Sequence, residues 1–282
     1  MPRGVPKAGF RMSRKRKKIA KFERQIVAPV SSETEAQIRV KLEERFSAME
    51  MITEAAVSGD VRALVVSGPP GLGKSFGISK ILERENPYHT IVRGYVRPTG
   101  LYKMLYEHRE AGSVVVFDDA DSIFADEASL NLLKTACDTT KKRVLSWLSE
   151  TKMEDEGGDR VPNTFEFEGT VIFITNYDFD AMIERGSKLA PHFAALISRS
   201  MYLDMAMKTK KDYLVRIKQV IEAGMLRDEG FSASEEAQVV SFIEKNQDAM
   251  RELSLRMVIK VAALVKSHPT KWQSLARVVC CK

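Results

Sequence analysis

The amino-acid sequence predicts an α/β protein, a parallel sheet packed between helices, followed by a separate helical part. Three observations predict this class. Short apolar runs at Ala63 to Val66, Ile91 to Val96, Val114 to Phe117 and Val171 to Ile174 are separated by helix-like segments, as expected of strands buried on both faces. The first run leads through the glycine-rich turn GPPGLGKS, Gly68 to Ser75, into a helical stretch from Phe76 to Leu82, a strand–turn–helix order. Beyond about Asp204 the apolar runs stop, and residues such as Leu255, Val258, Ile259 and Ala262 recur at helical spacing.

At 282 residues the chain accommodates one such core and a small appended domain. Its 44% hydrophobic and 29% charged residues are those of a soluble globular protein. The charge is unevenly placed. Residues 1 to 25 hold ten Lys or Arg against the single acid Glu23, a net +9, which leaves −3 for the rest of a chain whose total is +6. This describes a basic arm on a slightly acidic body, suited to nucleic-acid phosphates or another acidic surface. Cys137, Cys280 and Cys281 have neither the number nor the spacing of a disulfide framework or a zinc site, so a reducing interior is expected. His89, His108, His192 and His268 do not lie at metal-ligand spacing either. No apolar run approaches the roughly 18 residues that span a bilayer, and the N-terminus lacks the apolar segment of a secretory signal. A cytoplasmic protein with no membrane partner is expected.

Along the chain, the self-repelling run Arg11 to Lys18 makes residues 1–30 a flexible arm. From Glu35 the residues Ile38, Leu42, Phe46, Met49, Ile52 and Ala56 form one apolar helix face, with Ser31 and Ser32 as candidate caps. Between the third and fourth strands lies a helix at about Glu127 to Ala136. After it, Val144 to Leu148 and Phe165 to Phe167 flank the polar stretch Glu154 to Asn163, a hairpin projecting from the core. In the C-terminal part Ser232 or Ser234 caps a helix.

The turn at Gly68, Pro69, Pro70, Gly71, Leu72, Gly73, Lys74 and Ser75 carries the residues of a phosphate-binding loop. Its glycines let backbone N–H groups point at phosphate oxygens, and the helix opening at Phe76 adds its positive end. Lys74 is placed to reach the β and γ phosphates, and Ser75 supplies a hydroxyl ligand to Mg²⁺. The motif predicts ATP and Mg²⁺ as cofactors. The run VVVFDDAD, Val114 to Asp121, sets carboxylates at the C-terminal end of a buried strand, where open α/β sheets bind ligands. Asp118 is the expected magnesium partner, and Asp119 is placed to activate the attacking water. The next strand ends in Asn176, whose amide is suited to hold that water or the γ phosphate.

Together the phosphate-binding loop, DDAD at 118–121, Asn176 and the helical C-terminal part resemble an AAA+ ATPase over about residues 35 to 270. The resemblance implies a three-layer αβα core with strand order 5-1-4-3-2 over residues 31–204, and a helical lid at 205–282. It also implies a homo-oligomeric ring, usually a hexamer, with ATP between neighbours. Asn176 matches the family's sensor 1 position. LISRS, Leu196 to Ser200, is similar to the SRC motif of clamp-loader subunits and makes Arg199 the candidate finger for the adjacent site; Arg256 in LSLRMVIK resembles the sensor 2 arginine. Asp119 departs from the family's usual Glu by one methylene, which implies slower hydrolysis or a shifted water. Retention of Asn176 and Arg199 still favours an active enzyme. The overall layout, including the stretch KKRVLSWLSE followed by FEFEGTVIFITN, is similar to AAA+ proteins of tailed bacteriophages, and for a viral protein the cytoplasm expected is the host's.

For the partner, the arm, the cluster Lys141, Lys142 and Arg143, and the Arg199 segment point to nucleic acid and a role in replication, recombination or loading. A protein remodeller is the alternative; Tyr95 and Tyr102 flank a loop at Arg97 to Gly100, but neither sits in the aromatic-hydrophobic-glycine pattern of a pore loop, and core positions suit both. A third reading is a slowly hydrolysing nucleotide-gated switch.

Overall fold

The computed structural model describes residues 33–86, 88–148, 153–155, 157–205 and 207–282. The basic arm and the candidate caps Ser31 and Ser32 lie outside these. Helix α1, Glu35–Val57, starts instead at Thr34, whose side chain accepts from the Gln37 amide while Gln37 Oε1 accepts from the Thr34 N–H at 2.8 Å, a capping box. Its buried face runs through Ile38, Leu42, Phe46, Met49 and Ala56 as the spacing predicts, with Thr53 on the core line and Ile52 only partly buried.

The elements that follow alternate. They are β1 (Ala63–Ser67), α2 (Lys74–Glu85), β2 (His89–Arg93), α3 (Pro98–Glu107), β3 (Val114–Asp118) and α4 (Glu127–Ala136), with a 3-10 turn at Asp121–Phe124 before α4. Next come the hairpin strands β4 (Val144–Ser146), β5 (Met153–Glu154), β6 (Arg160–Val161) and β7 (Thr164–Glu166), then β8 (Thr170–Thr175), α5 (Phe179–Glu184), α6 (Ala190–Arg199) and β9 (Met201–Asp204). Four helices close the chain: α7 (Lys210–Glu222), α8 (Ala233–Asn246), α9 (Leu255–Ser267) and α10 (Trp272–Cys280).

The central sheet has the order β2-β3-β8-β1-β9, and every pairing in it is parallel. Counting only its own strands along the chain, this reads 5-1-4-3-2 from the β9 edge, the order the AAA+ resemblance implies. Alternate residues of the inner strands face opposite layers, as the pleat requires. Val65, Val115, Phe117, Val171 and Phe173 pack with α3, α4 and α6, while Leu64, Val66, Val114, Val116, Ile172 and Ile174 pack with α1 and α2. A third apolar cluster lies within α7–α10.

Three local expectations are corrected. The second strand ends at Arg93 instead of Val96, because Gly94 turns with φ +93° and the Val96 N–H bonds to Ser122 Oγ at 2.8 Å instead of a neighbouring strand. Residues 97–100 are not a loop, since α3 begins at Pro98; Tyr102 is fully buried within it, donating its hydroxyl to the Pro162 carbonyl at 2.9 Å, while Tyr95 is exposed. In α9 the buried face is Leu255, Val258, Val261, Ala262 and Val265, and Ile259 points outward. The hairpin pairs as expected, β4 with β7 and β5 with β6, both antiparallel, but the stretch Glu154 to Asn163 does not stand clear of the core, since Val161 is buried in the cluster of Leu101, Tyr102 and Phe165. Ser232 caps α8 in a capping box with Glu235. No helix among the described residues is long and apolar enough to cross a membrane.

Candidate functional site

The site lies where β1, β3 and β8 end at the same edge of the sheet. Register fixes this alignment: Ser67 stands opposite Thr175, and Asp118 stands between Arg93 on β2 and Ile174 on β8. Side chains just beyond these ends therefore converge, in the crevice where open α/β sheets place ligands.

The loop after β1 is tightly confined. Gly68 donates its N–H to the Thr175 carbonyl at 3.2 Å, and a Cβ on it would lie 2.9 Å from Met205 Cβ. Gly71 has φ +75° and would place a Cβ 2.8 Å from Ser254 Cβ, so a side chain is excluded both by conformation and by the approach of the C-terminal helices. Lys74, the first residue of α2, is buried, and its ammonium donates to the carbonyls of Gly68 at 2.6 Å and Pro69 at 2.8 Å. Burial lowers its pKa to about 8 against the pull of Asp119 and Asp118, with Arg256 adding to the lowering. A cation held by backbone carbonyls at such a cost suits an anionic ligand.

Ser75 Oγ donates to Asp118 Oδ1 at 2.8 Å. Two hard oxygen donors thus meet beside the loop, a fit to Mg²⁺, which takes one or two protein oxygens and fills its octahedron with phosphate oxygens and water. Among the described residues no group of three or more His, Cys, Asp or Glu is placed to hold a metal by itself. The other Asp118 oxygen accepts from Arg93 Nε at 2.9 Å. Arg93 escapes sequence reading, although a charged residue ending an apolar strand is the signal that marks Asp118.

Asp119 follows the strand with φ +54°, the only non-glycine residue at positive φ among those described. Its N–H is held by the Ile174 carbonyl at 3.0 Å, and its Oδ1 accepts from Asn176 Nδ2 at 2.7 Å. Asn176 Oδ1 in turn faces Lys74 Nζ at 3.4 Å. One carboxamide thus spans ammonium and carboxylate. The structure brings together Lys74, Ser75, Asp118, Asp119 and Asn176.

Phe76 is exposed on the first turn of α2, and Pro70 lies exposed on the loop, while Leu72 is buried beneath it. Arg256 reaches the loop from α9, its Cγ 3.8 Å from where a Gly71 Cβ would stand. Arg199 is not part of this cluster. At the end of α6 it donates to Asp138 Oδ2 at 3.3 Å and to the Ala195 carbonyl at 3.0 Å. Of the Lys141 to Arg143 cluster, Arg143 alone is withdrawn from the surface: it is only 4% exposed, donates to the Ala136 carbonyl at 2.7 Å and stacks on Phe167, whereas Lys141 and Lys142 are exposed. Arg216, a further residue that sequence reading passes over, comes from α7 to lie over the Phe46 ring and donate to the Leu72 carbonyl at 3.3 Å.

No protein-family model matches the chain. It is 35% identical over 249 residues to an uncharacterized 36.7 kDa protein of Enterobacteria phage T4 from the nrdC-mobD intergenic region, covering 86% of this chain and 76% of that protein. The chain belongs to the family of that phage T4 protein. The likeness to phage-encoded proteins expected from residues 141–176 thus has a counterpart in a family member. Among solved structures, it is similar to the RuvB Holliday junction branch migration motor of Thermotoga maritima, with 17% identity, TM-score 0.46, and 87% of this chain and 69% of that one covered. It is also similar to NtrX of Brucella abortus in complex with ADP, with 13% identity, TM-score 0.44, and 84% and 50% covered.

Proposed function

We propose that this family member is a magnesium-dependent ATP hydrolase of the AAA+ type, assembled as a homo-oligomeric ring, a hexamer by the habit of that family, and working on nucleic acid in the cytoplasm of a phage host. The observation that carries the reading is the convergence of Lys74, Ser75, Asp118, Asp119 and Asn176 at one sheet edge. The loop Gly68–Ser75 and the N–H of Phe76 hold the triphosphate, and Lys74 exchanges its two carbonyl partners for phosphate oxygens. Ser75 and Asp118 hold Mg²⁺, which neutralises charge on the transferring phosphoryl group when bound. Asp119 takes the proton of the attacking water, and Asn176 orients that water. Arg256 reports on the γ phosphate from the lid at 205–282. Arg199, which pairs with Asp138 and not with the groups at its own loop, stabilises spreading phosphoryl charge in the neighbouring subunit.

The nucleic-acid reading rests on the basic arm and on the exposed Lys141 and Lys142, since Arg143 is spent in the core. A nucleotide-gated switch is the second reading. It is favoured by Asp119, whose short side chain at φ +54° is already engaged by Asn176.

The deciding experiment measures ATP turnover with and without single-stranded DNA, for the whole chain and for a chain lacking residues 1–25, with Lys74→Ala as the blank. Turnover stimulated by DNA in a salt-sensitive, arm-dependent way supports the proposal. ATP binding without turnover favours the switch. Turnover indifferent to DNA, with no salt-sensitive binding, leaves a protein partner. For the ring, Arg199→Ala keeps ATP binding and loses turnover, and mixing it with Asp119→Asn subunits restores part of it; normal turnover by Arg199→Ala removes the finger assignment.

A further inference from the structure

One carboxylate beside the site has no part in the reading above. Asp121 opens the 3-10 turn, and its Oδ1 accepts the hydroxyl proton of Thr175 at 2.6 Å. Thr175 is fully buried at the end of β8, and its Oγ1 accepts the Tyr177 N–H at 3.0 Å. These two bonds grip the residues on either side of Asn176. Main-chain anchors complete the hold, since the Thr175 carbonyl accepts from the Gly68 N–H and the Tyr177 carbonyl from Ser67 Oγ at 2.6 Å.

The turn that presents Asp121 is itself fixed. Phe124 packs edge-on against Phe179 with ring centroids 5.1 Å apart and contacts Phe173 at 5.6 Å, while Ser122 Oγ accepts from the Val96 N–H and donates to the Val96 carbonyl. Burial raises the Asp121 pKa; the Thr175 bond opposes this, and the nearby Asp119 adds to the rise. A carboxylate kept partly desolvated near a second one is costly, and the side-chain bond it accepts leads to the Asn176 turn.

We propose that Asp121 and Thr175 are positioning residues for Asn176. Their part-buried hydrogen bond sets the carboxamide so that its Nδ2 meets Asp119 and its Oδ1 faces Lys74. The inference rests on the ATPase reading and deepens it, by separating the group that orients the water from the pair that orients the group.

The test is steady-state ATP turnover together with equilibrium binding of a fluorescent ATP analogue in the full-length chain. Thr175→Val keeps the shape and removes the hydroxyl, so kcat falls about ten- to hundredfold while analogue affinity is unchanged. Thr175→Ser restores most of the rate. From the other end of the bond, Asp121→Asn keeps an acceptor oxygen and most of the rate, whereas Asp121→Ala loses it. Unchanged kcat in Thr175→Val, loss of affinity in step with rate, or Asp121→Asn as slow as Asp121→Ala each overturns the proposal. Should Thr175→Val fail to melt cooperatively, the Asp121 pair decides. A wild-type chain that binds the analogue without turnover overturns the ATPase reading and this proposal with it, whereas normal turnover in Thr175→Val overturns this proposal alone.

Discussion

On one side of the loop Gly68–Ser75 lie the ends of β1, β3 and β8; on the other lie Ser254, Leu255 and Arg256 at the start of α9 and Arg216 on α7. The strand side holds its groups through side chains: Ser75 to Asp118, Asn176 to Asp119 and Lys74, and Thr175 to Asp121. The helical side grips the loop's main chain, through the Leu255 N–H on the Gly71 carbonyl at 2.8 Å and Arg216 on the Leu72 carbonyl at 3.3 Å. The strands are fixed by continuous ladders, whereas the helices meet the loop through these few bonds and close packing at glycines. The side chains that converge therefore stand on the side tied into the sheet, and the helical side contacts the loop chiefly through its main chain.

The sharpest break of this comparison is Asn176→Ala. Removing an orienting group from the rigid side is expected to cost about a hundredfold or more in turnover with ATP affinity retained; an Arg216 substitution with an equal effect on rate would erase the distinction between the sides.

Acidity gives the next effect. Lys74 titrates near 8 in the free chain, chiefly through burial. Only its protonated form attracts phosphate, so ATP affinity holds below that pH and falls above it, by about tenfold per pH unit, with proton uptake on binding. Isothermal titration in buffers of different ionisation enthalpy reads the uptake, and a flat profile from pH 7 to 9.5 would show that the lysine is not the phosphate contact.

Gly71→Ala tests the helical side. Its Cβ meets Ser254 at 2.8 Å in a left-handed backbone. The expected loss is about 1–3 kcal/mol of stability, seen as a lower melting temperature. A Ser254→Gly change in the same chain relieves the clash and leaves the backbone cost.

The smallest effect is expected from Arg216→Met, which gives up one hydrogen bond and the contact with Phe46 but also relieves the desolvation that lowers the Arg216 pKa to about 10. The net change is about 1 kcal/mol or less. A larger drop in the melting temperature would mark Arg216 as a structural pin instead of a movable contact.

Legibility in the sequence follows the same division. The inner strands are continuous apolar runs, and their chemistry stands one or two residues beyond each end, so Asp118, Asp119 and Asn176 are readable by position. The edge strands are harder. β2 is half buried, and its end depends on where Gly94 turns; β9, MYLD, is too short and too exposed to stand out, and was implied only by the strand order of the resemblance. Arg143 reads as part of a basic surface because sequence carries no sign that Phe167 and the Ala136 carbonyl receive it.

What the sequence alone determined is what local pattern encodes: a parallel α/β core, a glycine-rich turn after its first strand, carboxylates at the end of its third, and a helical tail. These follow from periodicity and from the short reach of a turn. The tertiary structure decided what depends on distant segments meeting. It set Arg93 against Asp118, Asp121 under Thr175, and Ser254 against Gly71, and it placed Arg199 outside its own site. Each of these is fixed by strand register or by helix packing across the fold, and neither quantity is written in the residues on its own side of the contact.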